Sequence, residues 1–345
     1  MSIFSMIDKY PRASLQSGPT PIEHLARLSH KLGVQVFVKR DDLTGLGFGG
    51  NKTRQLEFYF GAALARGADT VLITGAVQSN FVRAAASAAA KLGLQAVLQL
   101  EERVPGMGRS YYLSGNVLLD DLLGARRMSF PDGENEQGAD QSLREEAERL
   151  QRSGRRPYVI PLGLDNPPLG ALGYMLAAME VVEQGIEFDC AVVASGSALT
   201  HTGFLCGLRA LGHRAPVHGA CVRRAASLQR DRVTTVSTKL ANLLGIAPLL
   251  ESGDILTWDM ALAPGYGRLG PVAREAIELM ARYEGLFVDP VYTAKSFAVL
   301  VALTRDGTIP KGARVLFVHT GGLPALFAYE PELHLVPTSA SEIAG

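Results

Sequence analysis

The chain has 345 residues, of which 47% are hydrophobic and 20% charged. That composition supports a large core spread over roughly 2 domains and excludes disorder as the main state. Lys and Arg number 34 against 34 Asp and Glu, which excludes the basic excess of a phosphate-backbone binder, so no nucleic-acid partner is expected. Glycine is over-represented at 37 residues, against a usual share of about 7%, and anticipates loops where backbone must approach something closely. Cys190, Cys206 and Cys221 form no CxxC, which argues against a disulfide framework or a metal site. The N-terminal segment has no apolar stretch of signal-peptide length. The longest apolar run, Ala84 to Leu100, is broken by Ser87, Lys91 and Gln95. A soluble, cytoplasmic protein without a membrane span is the expectation.

In chain order, Val34–Lys39 reads as a strand, Leu56–Arg66 as a helix, Thr70–Thr74 as a strand and the alanine-rich Phe81–Leu92 as a helix. Gln95–Leu100 is again strand-like, and Val117–Leu123, Met128–Phe130, Ser142–Gln151 and Tyr158–Ile160 continue the alternation. A helix over Leu169–Val182 and strands at Cys190–Val193 and Val315–Val318 follow. Helices alternating with continuous apolar strands predict an α/β fold of parallel sheets covered on both faces. The charge-rich stretch from Glu134 to Arg156 reads as a solvated helix face laced with i,i+4 pairs.

Four turns after these strands carry the chemistry. Gly45, Gly47 and Gly50 formally match GxGxxG, but Asp41–Thr44 separate them from the strand and the acidic ribose ligand is absent, so a nicotinamide oxidoreductase is disfavoured. The same loop offers Lys52 at a helix start behind Gly49 and Gly50, where a flat ligand could lie on bare backbone. The helix field and desolvation would lower its pKa and suit it to Schiff-base chemistry. Ser195–Thr200 joins a strand to a helix with the hydroxyls of Ser197 and Thr200 beside free N–H groups, a cradle for a single phosphate. Gln78-Ser-Asn80 opens another helix that could take a carboxylate, and His319-Thr-Gly-Gly322 forms the fourth turn. All four lie at carboxyl ends of strands, where open parallel sheets bind ligands.

Taken together, Thr20–Glu23, Lys39–Gly45, Gly49-Gly-Asn-Lys-Thr-Arg54, Gln78-Ser-Asn80, Leu169–Tyr174, Ser195–Thr200, Asp289-Pro-Val-Tyr292 and His319–Gly322 resemble a family. It is the 1-aminocyclopropane-1-carboxylate deaminase and D-cysteine desulfhydrase group of fold-type II pyridoxal-phosphate enzymes, and the match runs nearly end to end. The resemblance implies two open twisted parallel-sheet α/β domains of the tryptophan synthase β-like kind, with residues 1–54 plus 166–345 in the larger and 55–165 in the smaller, and a homodimer. It implies pyridoxal 5'-phosphate carried covalently by Lys52, contacted by Asn80 and Thr293, and held by Gly196, Ser197, Ala198, Leu199, Thr200 and Thr320. It also implies catalytic roles for Lys52, Ser79, Tyr266 and Tyr292, and a small amino-acid substrate resting on Ser79, Asn80 and Phe81. Thr293 stands where the deaminase has a glutamate that keeps the ring nitrogen protonated. A hydroxyl there makes a weaker electron sink, which favours β-elimination over cyclopropane opening. Deaminase activity, cysteate sulfo-lyase activity and a cofactor-binding module without turnover are the alternatives. Phe81, Leu162–Asp165 and Ala198-Leu199 depart from the family pattern and put the substrate, not the cofactor, in question.

Overall fold

The computed structural model describes residues 3–334. Among these residues ten strands form two sheets. Ile22–His24 (β1), Gln35–Lys39 (β2), Cys190–Ser195 (β7), Val217–Cys221 (β8), Ile255–Trp258 (β9) and Arg314–Val318 (β10) make the larger, in the order β1-β2-β10-β7-β8-β9. Thr70–Ala76 (β3), Gln95–Glu101 (β4), Arg126–Phe130 (β5) and Pro157–Ile160 (β6) make the smaller, in the order β5-β4-β3-β6. Every pairing is parallel except β1 with β2.

The expected strands and helices fall where the pattern puts them, with ends shifted by a few residues. Two helices start five or six residues earlier than the apolar periodicity suggests. The lysine helix runs Asn51–Ala65 and the charged helix Glu136–Arg152. The sequence reading missed β1, β8 and β9. β8 reads Val-His-Gly-Ala-Cys, whose polar and glycine residues break an apolar run, and β1 is only three residues long.

The central strands are buried on both faces, whereas β1 and β5 at the sheet edges hold no buried residue. Val315 and Phe317 pack with Val36, Val38, Phe297 and Leu300 on one side, while Leu316 and Val318 pack with Ala191, Val193 and Phe204 on the other. Each such side chain contributes about 1.5–3 kcal/mol on burial. In the smaller sheet Val71, Ile73 and Leu98 face the Asn80–Leu92 helix, and Leu72 and Val97 face Leu143 of the charged helix.

The sheet order fixes the site. β10 lies between β2 and β7 and is parallel to both, so the segments leaving β2, β10 and β7 emerge together at one edge. These are the lysine loop, the His319–Gly322 turn and the Ser195–Thr200 turn. Close helix contacts then set the spacing. A Cβ on Gly173, in the Leu169–Glu183 helix, would lie 2.1 Å from the Arg54 carbonyl oxygen, so only glycine lets that helix meet the lysine helix backbone.

Candidate active site

Two connected clefts open at this edge. The larger encloses about 680 Å³ including its mouth, the smaller about 400 Å³. Lys52, Asn80, Gly196, Ser197 and Tyr292 border both. The larger also meets Ser79, Phe81, Leu199 and Tyr266, and the smaller meets Ala198, Thr200 and Thr320. Of the residues expected at the site, Thr293 alone borders neither.

Lys52 is the second residue of its helix. Its Nζ sits 3.4 Å from Gln55 Oε1 and 5.4 Å from the Phe81 ring centroid. Desolvation lowers its pKa to about 8, because an ammonium loses water here without gaining a carboxylate. The glycines before it act differently from the sequence reading. They are no floor for a ligand, because chain fills the space above them. A Cβ on Gly49 would meet Asp42 O at 2.0 Å, and one on Gly50 would meet Thr320 O at 3.0 Å. Gly50 adopts φ 111° and lets the lysine loop press against the His319–Gly322 turn.

The lysine helix is also anchored from below. Arg54 Nη2 lies 2.8 Å from Asp41 Oδ1 and its Nη1 2.9 Å from Glu180 Oε2. Lys39 Nζ meets Glu180 at 2.5 Å, and Tyr174 donates to Asp41 Oδ2 at 2.6 Å.

Across the cleft, the Leu199–Ala210 helix begins at the Ser195–Thr200 turn. Its first N–H groups have no partner inside the helix. Thr200 Oγ1 accepts from Asn51 Nδ2 and from Gln55 Nε2, both at 2.8 Å. Both lone pairs are thereby used, and the hydroxyl proton is left to donate into the cleft. Ala198 takes φ 77°, a left-handed conformation that glycine adopts freely and alanine does not.

Ser79 caps the Asn80–Leu92 helix, its Oγ accepting from Val82 N at 3.2 Å. Asn80 Oδ1 accepts from Asn116 Nδ2 at 2.9 Å, so Asn116, which the sequence reading did not single out, fixes the orientation of Asn80. The Tyr266 and Tyr292 hydroxyls are 2.6 Å apart. Burial, followed by the neighbouring Tyr266, raises the Tyr292 pKa well above its ordinary value. Asp289 holds this segment by accepting from Val291 N, Tyr292 N and Thr293 N at 2.8–3.1 Å. Thr293 Oγ1 donates to Asp289 Oδ1 at 2.7 Å and accepts from Asp289 N at 2.6 Å. Its proton is therefore committed away from the cleft.

The charged helix departs from its expected role. Arg152 and Glu148 form an i,i+4 pair at 3.9 Å, but Glu136 turns inward to the larger cleft. Arg103, Arg223, Arg224 and Arg232 border the same cleft, and none was singled out from sequence. Arg223 and Arg224 follow β8, so recognising that strand would have placed them at a carboxyl end beside Ser195–Thr200. Leu162 also borders the larger cleft, whereas Leu164 lies in a neighbouring one.

An amine of depressed pKa and a single-phosphate cradle with the Thr200 hydroxyl border one cleft of about 400 Å³. Pyridoxal phosphate needs these donors, and the residues present fit it. The fold and site thus define an α/β pyridoxal-phosphate enzyme of fold type II. The profile of the family described as "Pyridoxal-phosphate dependent enzyme" matches residues 13–321. A D-cysteine desulfhydrase of Klebsiella pneumoniae (strain 342) is 44% identical over 331 residues, covering 95% of this chain and 98% of that protein. One from Yersinia enterocolitica serotype O:8 / biotype 1B (strain NCTC 13174 / 8081) is 42% identical over 336 residues, covering 96% and 100%. The crystal structure of an ACC deaminase homologue superposes with a TM-score of 0.86 at 37% identity, covering 96% of this chain and 98% of that one. The chain belongs to the pyridoxal-phosphate dependent enzyme family.

Proposed function

We propose that the protein is a lyase that removes the β-substituent and the amino group of a small amino acid, in the manner of D-cysteine desulfhydrase. The observation that carries this reading is the position of the Lys52 amine, at pKa about 8, in one cleft with the Tyr266–Tyr292 pair. The 44% identity to a D-cysteine desulfhydrase over 95% of the chain supports the choice of reaction.

Lys52 would hold the cofactor's aldehyde carbon, Ser197, Thr200 and the helix start at Leu199 its phosphate, and Asn80 its ring oxygen. When bound, pyridoxal phosphate supplies an electron sink that stabilises negative charge at the substrate Cα. The amine of Lys52, neutral above about pH 8, takes the Cα proton as general base. The helix start at Ser79 orients the substrate carboxylate. The shared proton of Tyr266 and Tyr292, 2.6 Å apart, is delivered to the departing β-substituent. The three-carbon enamine that remains takes up one water and yields a 2-oxo acid and ammonia.

Thr293 is engaged by Asp289, so the hydroxyl we assign to the ring nitrogen is that of Thr320, which borders the smaller cleft. Among the described residues no acidic side chain lines that cleft. A neutral partner for the ring nitrogen favours elimination of a leaving group over cyclopropane opening. We also propose the division into 1–54 with 166–345 and 55–165, supported by the confinement of the four-stranded sheet to the latter range. A homodimer and a cytoplasmic location complete the reading. Among the described residues no helix is long and apolar enough to cross a membrane, and the three cysteines are free and buried.

The test is release of 2-oxo acid and ammonia across a panel of D- and L-amino acids. Turnover of a β-substituted member is expected, and Lys52→Ala abolishes it. Turnover that survives in Lys52→Ala removes Lys52 as the base.

A further inference from the structure

Arg83, in the Asn80–Leu92 helix, is 1% exposed, and among the described residues it forms no ion pair. A buried cation without a contacting counter-ion costs the fold stability, and desolvation pulls its pKa down to about 10. Asp120, the carboxylate whose charge it feels, is buried as well, and neither of its oxygens has a hydrogen-bond partner. The donors of Arg83 go elsewhere. Nη1 donates to the carbonyl oxygen of Gly47 and, at 3.4 Å, to that of Gly49, both in the lysine loop. Nε donates to Asn116 Oδ1 at 3.2 Å. A Cβ on Gly47 would meet Ser87 Oγ, in the helix of Arg83, at 2.2 Å, so the loop lies hard against that helix.

These contacts decide which end of each neighbouring amide points where. A guanidinium donates and never accepts, so Asn116 turns its oxygen to Arg83 and its nitrogen away. Asn116 Nδ2 then donates to the Gln78 carbonyl at 3.1 Å and to Asn80 Oδ1 at 2.9 Å. The Gln78 carbonyl only accepts, so it favours the same orientation. Asn116 is fully buried, and its oxygen and both of its amide protons are engaged. Asn80 therefore accepts from Asn116 and keeps its own Nδ2 without a partner among the described residues. Asn80 borders both clefts, and its nitrogen is the end left for a ligand. With Asn116 reversed, Asn80 would have to donate to it and offer an oxygen instead.

We propose that Arg83 is a positioning residue that acts through Asn116 to keep Asn80 a donor towards the cofactor's ring oxygen, while the same guanidinium ties the lysine loop to the helix that carries Asn80. This rests on the assignment of Asn80 to that oxygen above. The ring hydroxyl of pyridoxal phosphate is acidic, and its oxygen as an anion takes an N–H donor and is repelled by a carbonyl. Packing alone does not call for the guanidinium, since an apolar side chain of similar length fills the space without burying a charge.

The test compares two aldehydes on the full-length chain stripped of cofactor: pyridoxal phosphate and its 3-deoxy analogue, which keeps the aldehyde and the phosphate but lacks the ring oxygen. Absorbance titration gives both dissociation constants, and their ratio is the preference. Asn80→Ala sets the preference that remains without this donor, and the wild type is expected to exceed it about ten-fold. Arg83→Met should lose about three-fold of the wild-type preference or more, and Arg83→Lys, again a cation that only donates, should recover part of it. Asn116→Asp keeps the shape and gives Arg83 a charge partner, but it draws the Asn80 nitrogen away from the cleft. Its preference should fall to the Asn80→Ala level. If Arg83→Met weakens both aldehydes equally and leaves the preference intact, Arg83 only supports the fold and the proposal is overturned. A wild-type preference in Asn116→Asp overturns it too, and decides the matter should Arg83→Met not fold. If Asn80→Ala and wild type share one preference while both bind, the proposal falls and the cofactor reading stands. If the wild type binds neither aldehyde, the cofactor reading fails and takes the proposal with it.

Discussion

Asn51 Nδ2 donates to Thr200 Oγ1 at 2.8 Å, joining the residue before Lys52 to the helix that opens the phosphate turn. Gln55 Nε2 donates to the same oxygen at 2.8 Å. One hydroxyl therefore locks two elements 149 positions apart and aims its own proton at the cleft. Thr200→Val keeps the shape and removes that donor. Loss of a hydrogen bond to a charged group costs about 1.5–3 kcal/mol, so affinity for pyridoxal phosphate should fall roughly ten-fold or more. Absorbance titration measures this, with pyridoxal, which lacks the phosphate, as control. Equal weakening for both ligands would mean that the substitution acts on the fold rather than on the phosphate.

Ala198 holds φ 77° and ψ −19° at the start of the same helix. A left-handed conformation costs a non-glycine residue about 1–2 kcal/mol, and the flexibility that glycine adds to the unfolded chain returns about 0.4–1 kcal/mol of that. Ala198→Gly should therefore stabilise the protein by about 0.5–1 kcal/mol, while Ala198→Val should destabilise it. Thermal unfolding of the cofactor-free and cofactor-loaded forms reads both. A lower melting temperature for Ala198→Gly would contradict the strain argument.

The sequence made the larger part of the fold and half of the cleft legible, for identifiable reasons. β2, β3, β4, β7 and β10 are uninterrupted apolar or alternating runs, and the turns after β2, β3, β7 and β10 carry small and polar residues that stand out. The other wall was hidden. β8 contains His218 and Gly219, so nothing marked the turn that presents Arg223 and Arg224. Glu136 belongs to a charged stretch whose periodicity suits a solvated face, and only the packing of that helix over the smaller sheet turns its first residue inward. Thr293 is the opposite case, a residue placed by motif whose hydroxyl is claimed by Asp289, four positions earlier. Local sequence cannot say which of two acceptors a hydroxyl will choose.

The lowered pKa of Lys52 has a direct consequence for loading. Its amine is charged and unreactive below about pH 8 and nucleophilic above it. In cofactor-free protein the rate of covalent attachment of pyridoxal phosphate should rise with pH and level off with a midpoint near 8, well below the ordinary lysine value of 10.5. Stopped-flow absorbance follows the reaction, and borohydride trapping with peptide mapping assigns the site. A midpoint near 10 would mean that the side chain is solvated.

Arg54 provides the means of separating the support of Lys52 from its chemistry. Its guanidinium is buried between Asp41 and Glu180, two residues after Lys52 in the same helix. Arg54→Met leaves both carboxylates without their main counter-ion. Removing one partner of a buried pair costs about 3–5 kcal/mol. In the wild type burial works against the Asp41 carboxylate, but Arg54 outweighs it and holds its pKa below the ordinary value; Glu180 is held down likewise, by Arg54 and then Lys39. The stability these groups supply is present above the ordinary carboxylate range and is lost as pH falls through their folded values. In Arg54→Met burial prevails and pushes the Asp41 pKa upward, so protonation relieves the folded state as the pH drops. The deficit of the variant should therefore be largest near neutral pH and narrow towards pH 5, where the wild type is still unaffected. Denaturant unfolding at a series of pH values reads the difference, and a deficit that stays constant with pH would show that packing, not charge, is what Arg54 contributes.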